Sequence, residues 1–161
     1  MTNINSDSIR PPKGLMLLGF RLPVWFYRLG LGALMGKRFI YFEHIGRTSG
    51  LIRRSVVEVI RYDPAADVYY IVSGYGEKAD WYKNIIKTPK IKAQVGGRRF
   101  DAVVERLSQV EALTEFQDYH HRNPNALKYL GSMLLGLQIT GTEEELQKLS
   151  EILPVMAIKV V

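Results

Sequence analysis

Three stretches of this sequence carry residue types that could do chemistry. The first is Gly46-Arg47-Thr48-Ser49-Gly50-Leu51-Ile52-Arg53-Arg54. A glycine-bracketed turn between two strands can aim consecutive backbone N–H groups into one concavity, an arrangement that suits an anion. Arg47 and Arg53 flank the turn, where planar guanidinium groups can fork onto phosphate oxygens, and Ser49 adds a hydroxyl donor. A hairpin loop with solvated arginines accounts for the same residues, so the turn alone names no ligand.

The second stretch runs from Val72 to Asn84 and includes Ser73-Gly74-Tyr75-Gly76 and Ala79-Asp80-Trp81. Gly74, Gly76 and Ala79 match the spacing G-x-G-x-x-A of a dinucleotide-binding turn. The context argues against it. The helix that follows has barely two turns before Pro89, and the flanking strands read as hairpins. No acidic residue stands about 20 positions on at the end of a second parallel strand. A loop entering a helix N-terminus still offers free N–H groups and a positive dipole end to an anion. Trp81, in the first turn, can stack on a flat ring or anchor the core.

The third stretch is Phe116-Gln117-Asp118-Tyr119-His120-His121, followed by Tyr129. Adjacent histidines point to different helix faces and cannot chelate one metal as an i, i+4 pair would. His44 lies far off with no carboxylate at ligand spacing, so no metal site is expected. Tyr119 and Tyr129 are candidate proton donors at a substrate pocket; packed rings with satisfied hydroxyls are the plainer reading.

The elements that must position these groups are mostly strands. Runs rich in aromatic and β-branched residues predict strands over 38–44, 55–62, 68–73, 91–95, 100–107 and 156–161. Asp63-Pro64 with Ala65-Ala66-Asp67, and Gly96-Gly97, read as hairpin turns. Helices punctuate the strands. Asp80 is a plausible N-cap for Trp81–Lys87, and Ser108 with Glu111 and Thr142 with Glu145 form capping-box patterns. The fold class is therefore mainly β with helices (α+β), an antiparallel barrel with helical covers.

At 161 residues, 47% apolar and 24% charged, the chain is expected to be globular, with residues 1–13 as a flexible arm and 14–161 as a single domain. Residues 14–35 hold many leucines and aromatics but are broken by Arg21, Pro23 and Arg28, so they read as an amphipathic helix covering the barrel or lying on a membrane, and fail as a span. The absence of cysteine removes disulfides and thiolate chemistry and fits a cytoplasmic protein. A net charge of +6 biases partners toward anions, with the cations concentrated between Arg47 and Arg99. No basic-aromatic reading surface or helix-turn-helix appears, so no nucleic acid is expected.

Taken together, Gly46-Arg47-Thr48-Ser49-Gly50 with Arg53, then Ser73-Gly74-Tyr75-Gly76, then Trp81-Tyr82-Lys83-Asn84 and Pro89 resemble the deazaflavin-dependent nitroreductase and quinone reductase family. The likeness covers residues 39–107. It implies a split β-barrel of flavin-reductase type and an anionic cofactor, the 8-hydroxy-5-deazaflavin coenzyme F-420, with FMN as the alternative. By similarity, Arg47, Thr48, Ser49, Gly50, Arg53 and Arg54 would hold the phosphodiester and acidic tail. Ser73, Gly74, Tyr75 and Gly76 would border the deazaflavin, with Trp81 and Asn84 nearby. The implied reaction is hydride transfer from the reduced coenzyme to a small electrophile such as a quinone, a nitro compound or an activated double bond. A non-catalytic barrel loaded with FMN, heme or a lipid is the rival reading. Well-studied members carry lysines where this chain has Thr48 and Gly74. Peripheral membrane contact through residues 14–36 and a homodimer are both compatible with the sequence.

Overall fold

The computed structural model describes residues 4–9 and 23–161. Six strands, β1 (Phe39–Ile45), β2 (Ile52–Asp63), β3 (Val68–Val72), β4 (Lys90–Val95), β5 (Arg98–Arg106) and β6 (Val155–Val160), close a barrel in the order β1-β2-β3-β6-β5-β4. Strand β1 pairs antiparallel with β2 and β4, as do β2 with β3 and β4 with β5. This is the split-barrel class that the strand periodicity and the resemblance imply.

Alternation decides which side chains face inward. In β1 the even positions are shut away: Ile40 and Phe42 are fully buried and His44 is 3% exposed, while Tyr41 and Glu43 look outward. The β1–β4 register runs from Ile40↔Val95 to Glu43↔Lys92 and stops there, so His44 and Ile45 extend past their last partner on that side. The turns follow local chemistry. Asp63 Oδ1 accepts from the Ala65 and Ala66 N–H groups at 3.0 and 3.3 Å, an Asx turn that starts the β2–β3 hairpin. Gly96, at φ +56°, takes the left-handed conformation that the two-residue β4–β5 turn demands.

Where one domain is expected over 14–161, the chain divides into two compact units. The barrel unit runs to Val72, then from Asp80 to Glu105 and from Met156 to Val161. It carries α1 (residues 23–28) and α2 (Asp80–Lys87). The helical unit comprises Ser73–Ala79 and Arg106–Val155 with residues 4–9. Its helices are α3 (Gln109–Arg122), α4 (Pro124–Leu130) and α5 (Glu143–Ile152). The long excursion between β5 and β6 has a core of its own, with Ala112, Phe116, Leu146 and Leu149 each at most 4% exposed. Both anticipated capping boxes form, at Ser108 and at Thr142. The α4 helix was not anticipated; it starts with proline in its first turn, where a missing N–H costs nothing.

The arm is not loose along residues 4–9. Ile4 and Ile9 are each 6% exposed, and Lys78 Nζ donates to the Ser6 carbonyl at 3.3 Å. Burial of such side chains is worth about 1.5–3 kcal/mol each. Replacing both isoleucines with alanine should therefore lower the thermal unfolding midpoint clearly, and an unchanged midpoint would show that the arm contributes nothing.

The expectation for residues 14–22 and for the rest of the arm lies outside the described residues. In α1, Tyr27 is buried; its hydroxyl donates to the Phe39 carbonyl at 3.0 Å and its ring stacks on Tyr41 at 5.3 Å. Trp25, Phe26, Leu29 and Leu34 are 40% exposed or more. Among the described residues no helix is long and apolar enough to cross a membrane.

Candidate functional site

The β1–β2 loop folds by its own hydrogen bonds. Gly46 N–H donates to the Leu51 carbonyl and Gly50 N–H to the Gly46 carbonyl, both at 2.8 Å, and Gly50 sits at φ +68°. An added Cβ at Gly46 would meet Ser49 Oγ at 2.7 Å, so any larger residue would push that hydroxyl out of its place in the loop. Ser49 Oγ accepts from Leu51 N–H at 3.3 Å. The N–H groups of Thr48 and Ser49 have no acceptor among the described residues.

Helix α2 holds this loop in place through Asn84 and Asp80. Asn84 Oδ1 accepts from the Arg47 N–H at 3.0 Å and from Arg47 Nη1 at 3.1 Å, and Arg47 Nη2 pairs with Asp80 Oδ1 at 2.8 Å. Lys87 Nζ donates to the Arg47 carbonyl at 3.0 Å. Asp80, expected as an N-cap, opens the helix and serves the loop arginine.

Between loop and helix lies a cavity of about 600 Å³ lined by His44, Gly46, Arg47, Thr48, Ser49, Arg53, Arg54, Ser55, Asp80, Trp81 and Asn84. Its wall includes Trp81, whose ring meets Phe42 edge-on at 5.6 Å. The cations differ in what they are free to do. Arg47 is tied to Asp80 and Asn84, and Arg54 Nε pairs with Glu43 Oε1 at 3.1 Å. Arg53 is exposed and has no ion pair among the described residues. Elsewhere the basic stretch is also partly spent on neighbours, as in Arg98 with Asp67 at 2.6 Å.

The structure thus brings together Arg47, Thr48, Ser49, Arg53, Arg54, Trp81 and Asn84, with Gly50 in the same loop. Ser73, Gly74, Tyr75 and Gly76 belong to the other compact unit. There they form a turn tied to the end of the β5–β6 excursion: Ser73 is fully buried, its hydroxyl donates to the Gly76 carbonyl at 2.7 Å and its N–H to the Pro154 carbonyl at 2.9 Å. Burial pushes the Tyr75 hydroxyl pKa up. Tyr119 is 4% exposed within α3 and Tyr129 is 67% exposed on α4; neither lines the cavity. Among the described residues no group of three or more histidine, cysteine or acidic side chains could hold a metal.

His44 and Ser55 are the cavity residues that sequence reasoning missed. The readable signal was alternation, since a histidine in register with the inward Ile40 and Phe42 at a strand end must face the barrel mouth. Burial, and secondarily the nearby Arg53 charge, lowers the His44 pKa to about 4, so the ring is neutral at physiological pH.

The family model for F420H2-dependent quinone reductase matches residues 20–131, a span that holds the whole cavity and most of the chain. The chain belongs to this family. Solved structures agree on the fold. An F420-H2 dependent reductase (FDR-A) superposes with a TM-score of 0.51 at 16% identity, covering 77% of this chain and 96% of that one. A protein described as a domain-swapped dimer gives 0.52 at 16% identity, covering 85% and 99%. A pyridoxamine 5'-phosphate oxidase-related, FMN binding protein from Nostoc punctiforme gives 0.52 at 9% identity, covering 92% and 82%. The curated proteins include no match. Among the described residues the donor set of the cavity, with Arg53 outside any ion pair, the open N–H groups of Thr48 and Ser49 and the hydroxyls of Ser49 and Ser55, suits an anionic ligand.

Proposed function

We propose that this chain is an oxidoreductase that binds the reduced deazaflavin coenzyme F-420 and passes its hydride to a quinone, with nitro compounds and activated double bonds as further acceptors. The observation that carries the reading is the cavity itself, which gathers Arg47, Thr48, Ser49, Arg53, Trp81 and Asn84 from two elements. When bound, the reduced coenzyme supplies the hydride. The protein's part is binding, orientation and exclusion of water.

Arg53 and the open N–H groups of Thr48 and Ser49 would hold the phosphodiester and acidic tail. Arg47, fixed by Asp80 and Asn84, shapes the loop that presents them. Trp81 offers an aromatic face beside the cavity. Trp25, Phe26, Leu29 and Leu34, all exposed, suit contact with a membrane holding a lipid-soluble quinone. A homodimer is supported by the domain-swapped relative.

Titration calorimetry should show coenzyme F-420 binding more tightly than FMN or NADPH. FMN bound equally well or better would favour the rival, an FMN-loaded barrel. That rival draws on Thr48 and Gly74 standing where the family has lysines, and on the FMN-binding fold relative.

A further inference from the structure

The hydrogen bonds around Asn84 dictate where protons sit. Its Oδ1 accepts from two groups that can only donate, the Arg47 backbone N–H at 3.0 Å and Arg47 Nη1 at 3.1 Å. The amide is thereby oriented with its NH2 toward His44, where Asn84 Nδ2 stands 3.1 Å from Nδ1. An NH2 group only donates, so His44 Nδ1 holds a lone pair and the ring proton sits on Nε2. Nε2 lies 3.1 Å from Ser55 Oγ, which must then accept. A serine hydroxyl that accepts at this distance keeps its own proton for a different partner. Among the described residues Ser55 Oγ has no other partner, and it lines the cavity beside Arg53.

We propose that Ser55 is a binding residue for a phosphate-type oxyanion, and that His44 is its positioning residue, turning the hydroxyl outward as a donor. The chain Arg47–Asn84–His44–Ser55 links the loop tether to this donor, so one set of bonds shapes the loop and orients the hydroxyl. The arrangement suits a ligand that accepts at this point, because His44 Nε2–H occupies one Ser55 lone pair and leaves the hydroxyl proton pointing to another partner. The inference deepens the anion-binding reading of the same cavity and rests on it, but it draws nothing from the deazaflavin ring.

The probe is inorganic pyrophosphate, read by the fluorescence of Trp81 in a Trp25→Phe background, with thermal unfolding run beside it. The parent should bind saturably. Ser55→Ala should weaken binding at least about 10-fold, as expected for a hydrogen bond to a charged group. Ser55→Thr, which keeps the hydroxyl, should retain affinity. His44→Phe should lose about as much as Ser55→Ala, and the double variant no more than either, because both changes remove one donor. If His44→Phe does not fold, the contrast between Ser55→Ala and Ser55→Thr decides alone. No saturable response in the parent, a Ser55→Ala variant that binds like it, or losses that add in the double variant would overturn the proposal. Titration with coenzyme F-420 separates the two readings. Pyrophosphate binding in this pattern without coenzyme binding removes the deazaflavin reading and leaves the oxyanion device. Coenzyme binding that ignores Ser55→Ala does the reverse.

Discussion

Arg53→Ala should weaken coenzyme F-420 binding by roughly 10- to 150-fold, because a charge-assisted contact to phosphate is worth about 1.5–3 kcal/mol. Arg47 in the loop and Arg53 and Arg54 at the start of β2 are alike in sequence and unlike in circumstance. Arg47 is paired with Asp80 at 2.8 Å and Arg54 with Glu43 at 3.1 Å, whereas Arg53 has no such partner among the described residues. An unpaired guanidinium beside the open N–H groups of Thr48 and Ser49 is the cation with most to gain from an anion. Binding of the parent should also weaken as salt is added, and the Arg53→Ala variant should show a flatter dependence. Arg47→Ala should weaken binding by a different route, through loss of the loop's tether to α2, and should leave the salt dependence largely intact. Calorimetric titrations at two salt concentrations check both. An Arg53→Ala variant that binds like the parent would reduce Arg53 to surface charge and take the site assignment with it.

Lowering the pH from neutral toward 4 should cost the protein up to about 3 kcal/mol of stability through His44 alone. In the folded chain its pKa lies near 4 against an ordinary value of 6.5, because burial disfavours the imidazolium and Arg53 adds repulsion. A base whose folded pKa is depressed takes up its proton in the unfolded chain first. The stability it lends is therefore complete above pH 6.5, is lost as the pH falls toward 4, and changes no further below that. Protonation also demands a donor at Nδ1, where Asn84 Nδ2 already donates, so the Arg47 tether must rearrange with it. Asp67, held by Arg98, has its pKa at about 2. Burial pushes the Glu145 carboxyl up, but hydrogen bonds from the Thr140 hydroxyl and from the N–H groups of Thr140, Gly141 and Thr142 outweigh it and lower its pKa. Denaturant unfolding across pH 7 to 4 tests the claim against a His44→Phe variant, whose stability should be flatter over that window. A parent with no loss of stability between pH 6.5 and 4.5 would show that the ring is not held neutral by its surroundings.

Much of this protein was legible from residue types in order. Period-two alternation places Ile40, Phe42 and their successors on one face, and it marks the strands to within a few residues. Asp63, Gly96 and the capping boxes at Ser108 and Thr142 announce turns and helix starts because each acts on backbone groups within three residues. The phosphate-suited loop from Gly46 to Arg54 is legible for the same reason, since its folding back rests on Gly46, Ser49 and Gly50. Local chemistry has local consequences, and a sequence read in windows captures them.

The tertiary structure decided what depends on residues distant in the chain. Closure of the barrel carries α2 to the β1–β2 loop, so that Asn84 bonds to residues 37 and 40 positions away and Asp80 takes Arg47 rather than only starting a helix. That closure separates three similar arginines into two spent on neighbours and one left open. It converts His44 from an isolated residue with no metal partner into a buried, neutral ring that orients Ser55. Within the helical unit, packing between segments far apart in sequence draws Ile4 and Ile9 into cover and gives the β5–β6 excursion a core of its own. Burial and ion pairing depend on the summed surroundings of a group in space, and no spacing along the chain encodes that sum.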